Sequence, residues 1–306
     1  MAGELARRAA AEGVFGRVSL CEVGQPRRSE HAAATSASGS KRRRRRQLDL
    51  LGARAVYKVA ELITQTEADV VAYLGLCGAP RPDAHGEFSD AEAAGGFARG
   101  LLRAHRRGQV PKRLLVLSWT AVYGVARGAP LLFRESFAGE PDEPEPLSPV
   151  GRWAAGLRAA EAELRDAAEA AGVQFCLLRA APVVAGPAAS IVGDFLSSRV
   201  PMRVLGYDPP FQVLHYDDLI DAVETALVEP VSGTLNLSSR GTVPLSRLAA
   251  LAGSFATPVP AAVVRRLGPS APGPARLRWR CLADVRRAVQ VLGITPRFAA
   301  EDAVVG

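Results

Sequence analysis

From about residue 48 to residue 237, short apolar runs alternate with longer segments of helical period, and this alternation restricts the chain to very few architectures. Residues 69–76 (DVVAYLGL), 113–118 (RLLVLS) and 174–179 (QFCLLR) are apolar, too short for helices and flanked by turn residues, as expected of strands buried on both faces. Helical periodicity occupies the stretches near 53–66, 90–107 and 152–171. Repeated βα units of this spacing predict a parallel sheet wrapped by helices. Nearer the start, residues 4–13 (ELARRAAAEG) read as a helix and 17–23 (RVSLCEV) as a strand, and no repeat of solenoid type is present. After Pro187 the elements shorten and Pro and Gly become more frequent, although 217–227 (DDLIDAVETAL) again reads as a helix. The expected organisation is a sheet domain over 1–187, containing a basic flexible loop at 24–47, and a smaller lobe over 188–306 interleaved with the last strands. Residues 254–280 are Pro-rich and poorly periodic, so an extended or mobile region is expected there.

Composition removes several function classes. A chain of 306 residues with 48% hydrophobic content can bury a sizeable core. No apolar run reaches the roughly 18 residues of a membrane span, and the first residues have no signal-peptide hydrophobic region, so a cytoplasmic location is expected. Cys21, Cys77, Cys176 and Cys281 are far apart and form no CxxC pair, which suggests neither zinc nor a disulfide framework. His31, His85 and His105 share no metal-ligand spacing, so no metal is expected. The net charge of +7 owes six charges to the single run KRRRRR at 41–46, and without it the chain is close to neutral. That run reads as a solvated loop; with no interleaved aromatics, zinc-finger spacing or helix-turn-helix signal, nucleic acid is not the expected partner.

Six phrases carry a resemblance: ADVVAYLGL (68–76), RLLVLSWTAVYG (113–124), LLRAAPVVAGP (177–187), FQVLHYDDLIDAVETAL (211–227), GTLNLSS (233–239) and VLGITPRF (291–298). In this order they resemble the extended short-chain dehydrogenase/reductases, the NAD-dependent epimerase/dehydratase group acting on nucleotide sugars and related substrates. The resemblance implies a Rossmann-like, doubly wound parallel sheet with a small C-terminal substrate lobe. It implies NAD as cofactor and a nucleotide-sugar-like small molecule as ligand, with a homodimer through the helix at 152–171 as a further expectation.

A dinucleotide site of this class needs a glycine-rich turn after the first strand, so that backbone N–H groups and a helix N-terminus approach the pyrophosphate. No GxGxxG or GxxGxxG occurs in the first 50 residues. Laid against the family, 4–13 matches the helix after that turn and 17–23 the second strand, so the first strand and its loop are expected to be missing. Either an upstream start restores them or dinucleotide affinity is weak or lost. The resemblance places the remaining cofactor contacts at Glu22 (ribose hydroxyls), Asp49 and Leu50 (adenine), Leu74 and Gly75 (turn after the fourth strand), Ser118 and Pro182.

The family's chemistry uses a Tyr as acid or base, a Lys four residues later on the same helix face, and a strand-end Ser or Thr. In register with RAAEAEL, the Tyr position falls on Trp153, the Lys position on Leu157 and the hydroxyl position on Trp119, flanked by Ser118 and Thr120. An independent count agrees: no lysine follows Lys112, and no tyrosine lies between Tyr123 and Tyr207, so no register supplies Tyr-x-x-x-Lys there. The residual candidates are Ser118, Thr120 and Tyr123, with Tyr123 expected mainly to pack. Arg158 points away from the Lys position, and Glu161, Glu163 and Asp166 are expected on the solvated side of the helix. At His215 and Asp217–Asp218, the resemblance gives the acid the role of helix cap. Two functions stay open: an epimerase/dehydratase-like protein with a degenerate active site, or a catalytically silent scaffold that binds a metabolite or a protein.

Overall fold

The computed structural model describes residues 21–23, 46–48, 54–76, 90–124, 130–137, 149–186, 191–196, 198, 200–267 and 281–305. In chain order the strands are β1 (Cys21–Val23), β2 (Arg46–Leu48), β3 (Val70–Tyr73), β4 (Arg113–Trp119), β5 (Gln174–Ala180), β6 (Val183–Val184), β7 (Met202–Val204), β8 (Pro210–Phe211), β9 (Leu214–His215), β10 (Gly233–Leu237), β11 (Val243–Pro244) and β12 (Thr257–Val259). The α-helices are α1 (Ala55–Thr66), α2 (Asp90–His105), α3 (Pro149–Ala170), α4 (Ile191–Leu196), α5 (Tyr216–Val228), α6 (Leu245–Leu251), α7 (Ala261–Leu267), α8 (Arg286–Leu292) and α9 (Asp302–Val305). A 3-10 turn, Thr120–Tyr123, follows β4 directly.

Strands β10, β5, β4 and β3 form one parallel sheet in that order. β1 and β2 form a separate parallel pair; among the described residues it makes no ladder bond to β3, whose other edge has no strand partner there. β2 begins at Arg46, within the span 24–47 expected as a basic loop, and residues 24–45 lie outside the described residues. Residues 4–13 and 17–20 lie outside the described residues, as do 41–45.

The strand expectations at 69–76, 113–118 and 174–179 correspond to β3, β4 and β5, and the inner residues of β4 and β5 are buried on both faces because helices cover the sheet. α1 ends at Glu67, in the left-handed conformation (φ 48°), where its N–H bonds the Ile63 carbonyl. α1 and α2 approach closely at Gly100: a Cβ there would sit 2.5 Å from the Val59 Cβ, so the contact admits only glycine without a shift. α3 contributes Trp153, Leu157, Ala160 and Leu164 to the core, joined by Ala171 of the adjoining turn, the three- and four-residue stripe of an amphipathic helix.

The apolar interior has two parts. The larger lies around the four-stranded sheet and α1, α2, α3, α5 and α8. The smaller gathers Val192, Phe195, Phe211, Val213, Val243 and Leu248 from the C-terminal half. Part of the span 254–280 expected as extended or mobile is regular: β12 pairs in parallel with β7, and α7 follows, while 268–280 lie outside the described residues. Prolines are tolerated here because the flanking ladder bonds come from other residues. The Thr257 N–H reaches the Pro201 carbonyl at 2.8 Å, and the Leu205 N–H reaches the Val259 carbonyl at 2.8 Å.

Candidate functional site

In parallel α/β sheets, ligands bind outside the carboxyl ends of the strands. Near that end, three adjacent strands place Ser118, Arg179 and Asn236 in register, hence on one face of the sheet. Arg179 is 8% exposed and carries a full charge, so its position requires a counter-ion. Glu161, on α3, supplies it: its Oε2 accepts from Arg179 Nη2 at 2.6 Å and from Nε at 3.1 Å. Burial opposes the charge on Arg179, but the Glu161 carboxylate and the Tyr123 phenol outweigh it and raise its pKa.

This corrects the expectation that Glu161 is solvated: it is 2% exposed. Glu163 and Asp166 are both exposed, as expected. The signal was available, because Trp153, Leu157 and Glu161 follow one another at four-residue steps and so share a face.

Tyr123, from the 3-10 turn, does more than pack. Its hydroxyl donates to Asn236 Oδ1 at 2.7 Å, its ring stacks on Phe133 with centroids 5.0 Å apart, and the Arg179 guanidinium lies 4.9 Å from its centroid. Burial raises its phenol pKa, with Arg179 offsetting part of the rise. Asn236 also donates from Nδ2 to the Asp284 carbonyl at 3.1 Å, and its backbone N–H reaches Glu135 Oε1 at 3.3 Å. Arg158 ties α3 to the same turn by donating to the Val122 carbonyl at 2.8 Å.

The three positions that the resemblance assigned to catalysis are closed into the core. Trp153 is 4% exposed, Leu157 is fully buried and Trp119 is 6% exposed. Ser118 and Thr120 are buried as well; the Ser118 Oγ and the Trp119 Nε1 have no hydrogen-bond partner among the described residues. Thr120 meets Cys281, whose thiol donates to the Thr120 carbonyl at 3.4 Å. Burial pushes the Cys176 and Cys281 thiols up to about 12, which keeps both out of the thiolate form.

Of the cofactor candidates, Glu22 lies in β1, its side chain outside what is described, and Asp49 and Leu50 fall outside the described residues. Leu74 and Gly75 follow β3 at its carboxyl end. A Cβ on Gly75 would lie 2.7 Å from the Tyr73 ring, so Tyr73 alone accounts for the glycine. The Pro182 carbonyl accepts from the Leu214 N–H at 3.0 Å. Ser118 is enclosed, and buried indoles stand at the two positions, 119 and 153, where the resemblance calls for hydroxyl groups.

The strand-to-helix phrase also needs correction. His215, not an aspartate, caps α5: its Nδ1 accepts from the Asp217 N–H at 3.1 Å, and its ring stacks on Phe298 at 3.6 Å. Asp218 instead receives the backbone N–H groups of Arg297 and Phe298 at 3.0 and 3.3 Å, anchoring the C-terminal segment to α5. Among the described residues no group of three or more His, Cys, Asp or Glu could hold a metal, and no helix is long and apolar enough to cross a membrane.

With this geometry in view, comparison with known proteins is specific about the family. The model of the NAD dependent epimerase/dehydratase family matches residues 4–237, beginning well before the phrases that first suggested it. An uncharacterized protein of Mycobacterium tuberculosis strain H37Rv is 24% identical over 208 residues, 66% of this chain and 52% of that protein, and a Mycobacterium bovis counterpart matches equally. The chain thus spans about half the length of the curated relatives it matches. Among solved structures, UDP-glucose 4-epimerase of Thermus thermophilus in complex with NAD is similar at a TM-score of 0.67 and 15% identity, covering 98% of this chain and 92% of that one. MoeE5 in complex with UDP-glucuronic acid and NAD is similar at 0.64 and 19%, covering 98% and 92%. UDP-glucuronic acid 4-epimerase from Bacillus cereus with NAD is similar at 0.59 and 15%, covering 85% and 78%. These likenesses establish the α/β Rossmann-like fold.

Proposed function

Since this chain belongs to the NAD dependent epimerase/dehydratase family, we propose that it is an epimerase/dehydratase-like protein of the nucleotide-sugar class whose active site is degenerate. The observation that supports this reading is the burial of Trp153 and Leu157, which the resemblance aligns with the proton-transferring Tyr and its Lys. Neither side chain can give or take a proton at a substrate hydroxyl, and both are closed off from solvent. The ligand class comes from the structural neighbours, which hold UDP-glucuronic acid or UDP-glucose together with NAD.

A specific observation favours the second reading, a catalytically silent binding scaffold. Tyr123, the phenol nearest in sequence to the positions that the resemblance gives to catalysis, already donates a hydrogen bond to Asn236, and its burial raises its pKa. A group held neutral in this way positions its neighbours rather than exchanging protons with a ligand. Ser118 and Thr120 are enclosed as well.

NAD, in this proposal, is held weakly and through its adenosine half. Glu22 would bind the ribose hydroxyls and Asp49 and Leu50 the adenine, with Leu74–Gly75 contributing the strand-end turn, while Ser118 and Pro182 are left without a cofactor role. Bound NAD would supply a hydride acceptor; the chain's own residues would supply only binding. A homodimer through α3 would have to use the outer face at Ala155, Glu163 and Asp166, because the apolar face is committed to the core. Isothermal titration of the purified chain with NAD and with UDP-glucose tests the proposal. Weak binding of either ligand without turnover is expected, whereas submicromolar NAD affinity would overturn the assignment of a closed nicotinamide end.

A further inference from the structure

Among the described residues β10 is an edge strand of the four-stranded sheet, and two segments without regular structure reach it, 130–137 and 281–285. They are bound to each other. The Phe133 N–H reaches the Leu282 carbonyl at 2.7 Å, and the Asp284 N–H reaches the Phe133 carbonyl at 2.7 Å, a parallel bridge between Phe133 and Ala283. Gln212 holds the second segment as well, its amide oxygen accepting from the Ala283 N–H and its amide nitrogen donating to the Ala283 carbonyl.

We propose that Asn236 is a positioning residue that fixes these two segments, together with the turn carrying Tyr123, as one unit across the carboxyl end of the sheet. Its side chain is fully buried and needs both halves of its amide: the oxygen accepts from the Tyr123 hydroxyl at 2.7 Å, and the nitrogen donates to the Asp284 carbonyl at 3.1 Å. Its backbone N–H, on the outer side of the edge strand, is taken by Glu135 of the first segment at 3.3 Å. One residue thus meets all three covering pieces. A carboxylate at this position could accept from Tyr123 but could not donate to Asp284, and it would sit near Glu135. An amide supplies both the acceptor and the donor at neutral pH, whereas a carboxyl group supplies the donor only when protonated.

Hydrogen exchange resolved by peptide tests the assignment. In the unmodified protein at low denaturant, 131–137 and 281–285 are expected to open in one step, with equal midpoints. In Asn236→Asp at neutral pH, exchange in both segments is expected to rise about tenfold or more, while 55–66 and 90–105 stay within about twofold. Mild acid, which neutralises the introduced carboxyl and gives it a proton to donate, is expected to restore protection after correction for intrinsic exchange rates. In Tyr123→Phe, 281–285 is expected to stay protected while 120–124 loosens. Separate opening steps in the unmodified protein would overturn the proposal, and that measurement stands even where Asn236→Asp does not fold. An equal rise at 55–66 and 90–105, or no recovery in acid, would also overturn it, because either would show general destabilisation.

Discussion

The face of α3 at Trp153 and Leu157 and the row Ser118–Arg179–Asn236 belong to the same layer of helix and sheet, yet they solve the problem of burial in opposite ways. The helix face carries only apolar groups at these two positions, where the family resemblance calls for a phenol and an amine. The row keeps a charge and an amide with two carboxylates nearby, and most of these groups satisfy one another: Arg179 with Glu161, Tyr123 with Asn236, Asn236 with Asp284. The lesson is that scaffold and chemistry are separable within about two helical turns. The polar groups that hold the turn, β5 and β10 together are present, while an indole and an aliphatic side chain stand at the positions that the resemblance gives to proton transfer.

The largest effect that separates these regions is expected from Arg179→Met. It leaves Glu161 as an unpaired buried carboxylate and should cost about 3–5 kcal/mol in urea unfolding, while Arg179→Met combined with Glu161→Leu should recover most of the loss. If the double variant is as unstable as the single one, the pair is not the source of the cost. Next, Trp153→Ala should lose about 3 kcal/mol as a core truncation. Ligand affinity should be unchanged in titration; a fall in NAD or UDP-glucose binding without a fall in stability would place the indole in a ligand site instead.

A smaller effect is expected from Tyr123→Phe, about 1 kcal/mol for the lost hydrogen bond. Its pH dependence is more telling. Burial raises the Tyr123 phenol above its ordinary value near 10, so the unfolded chain gives up this proton first. The stabilisation is complete below about pH 10 and declines as the pH rises beyond it. Urea midpoints between about pH 8 and pH 11 should therefore fall less steeply in Tyr123→Phe than in the unmodified protein; parallel curves would contradict a buried neutral phenol.

Much of this division was legible in the sequence. The alternation of apolar runs and helical periods marked β3, β4, β5 and the helices between them, because burial on both faces leaves a strand apolar throughout. The four-residue stripe that buries Trp153 and Leu157 together needed only the residue order of α3. What stayed hidden depended on partners distant in the chain. Glu161 looked like one acid among several until Arg179, 18 residues on, claimed it. Asp218 looked like a cap because its true partners, the N–H groups of Arg297 and Phe298, lie 79 and 80 residues away. β12 was masked by prolines whose missing N–H groups the ladder with β7 does not require.

The central claim, a family scaffold without the family's proton transfer, is tested most directly by assaying the purified, unmodified chain for NAD-dependent turnover of UDP-glucose and UDP-glucuronic acid. NADH fluorescence and chromatographic separation of the sugar epimers would be followed together. The expected result is no NADH and no epimer above the uncatalysed background, in the unmodified chain and equally in Trp153→Tyr combined with Leu157→Lys. Robust turnover by the unmodified chain would contradict the account.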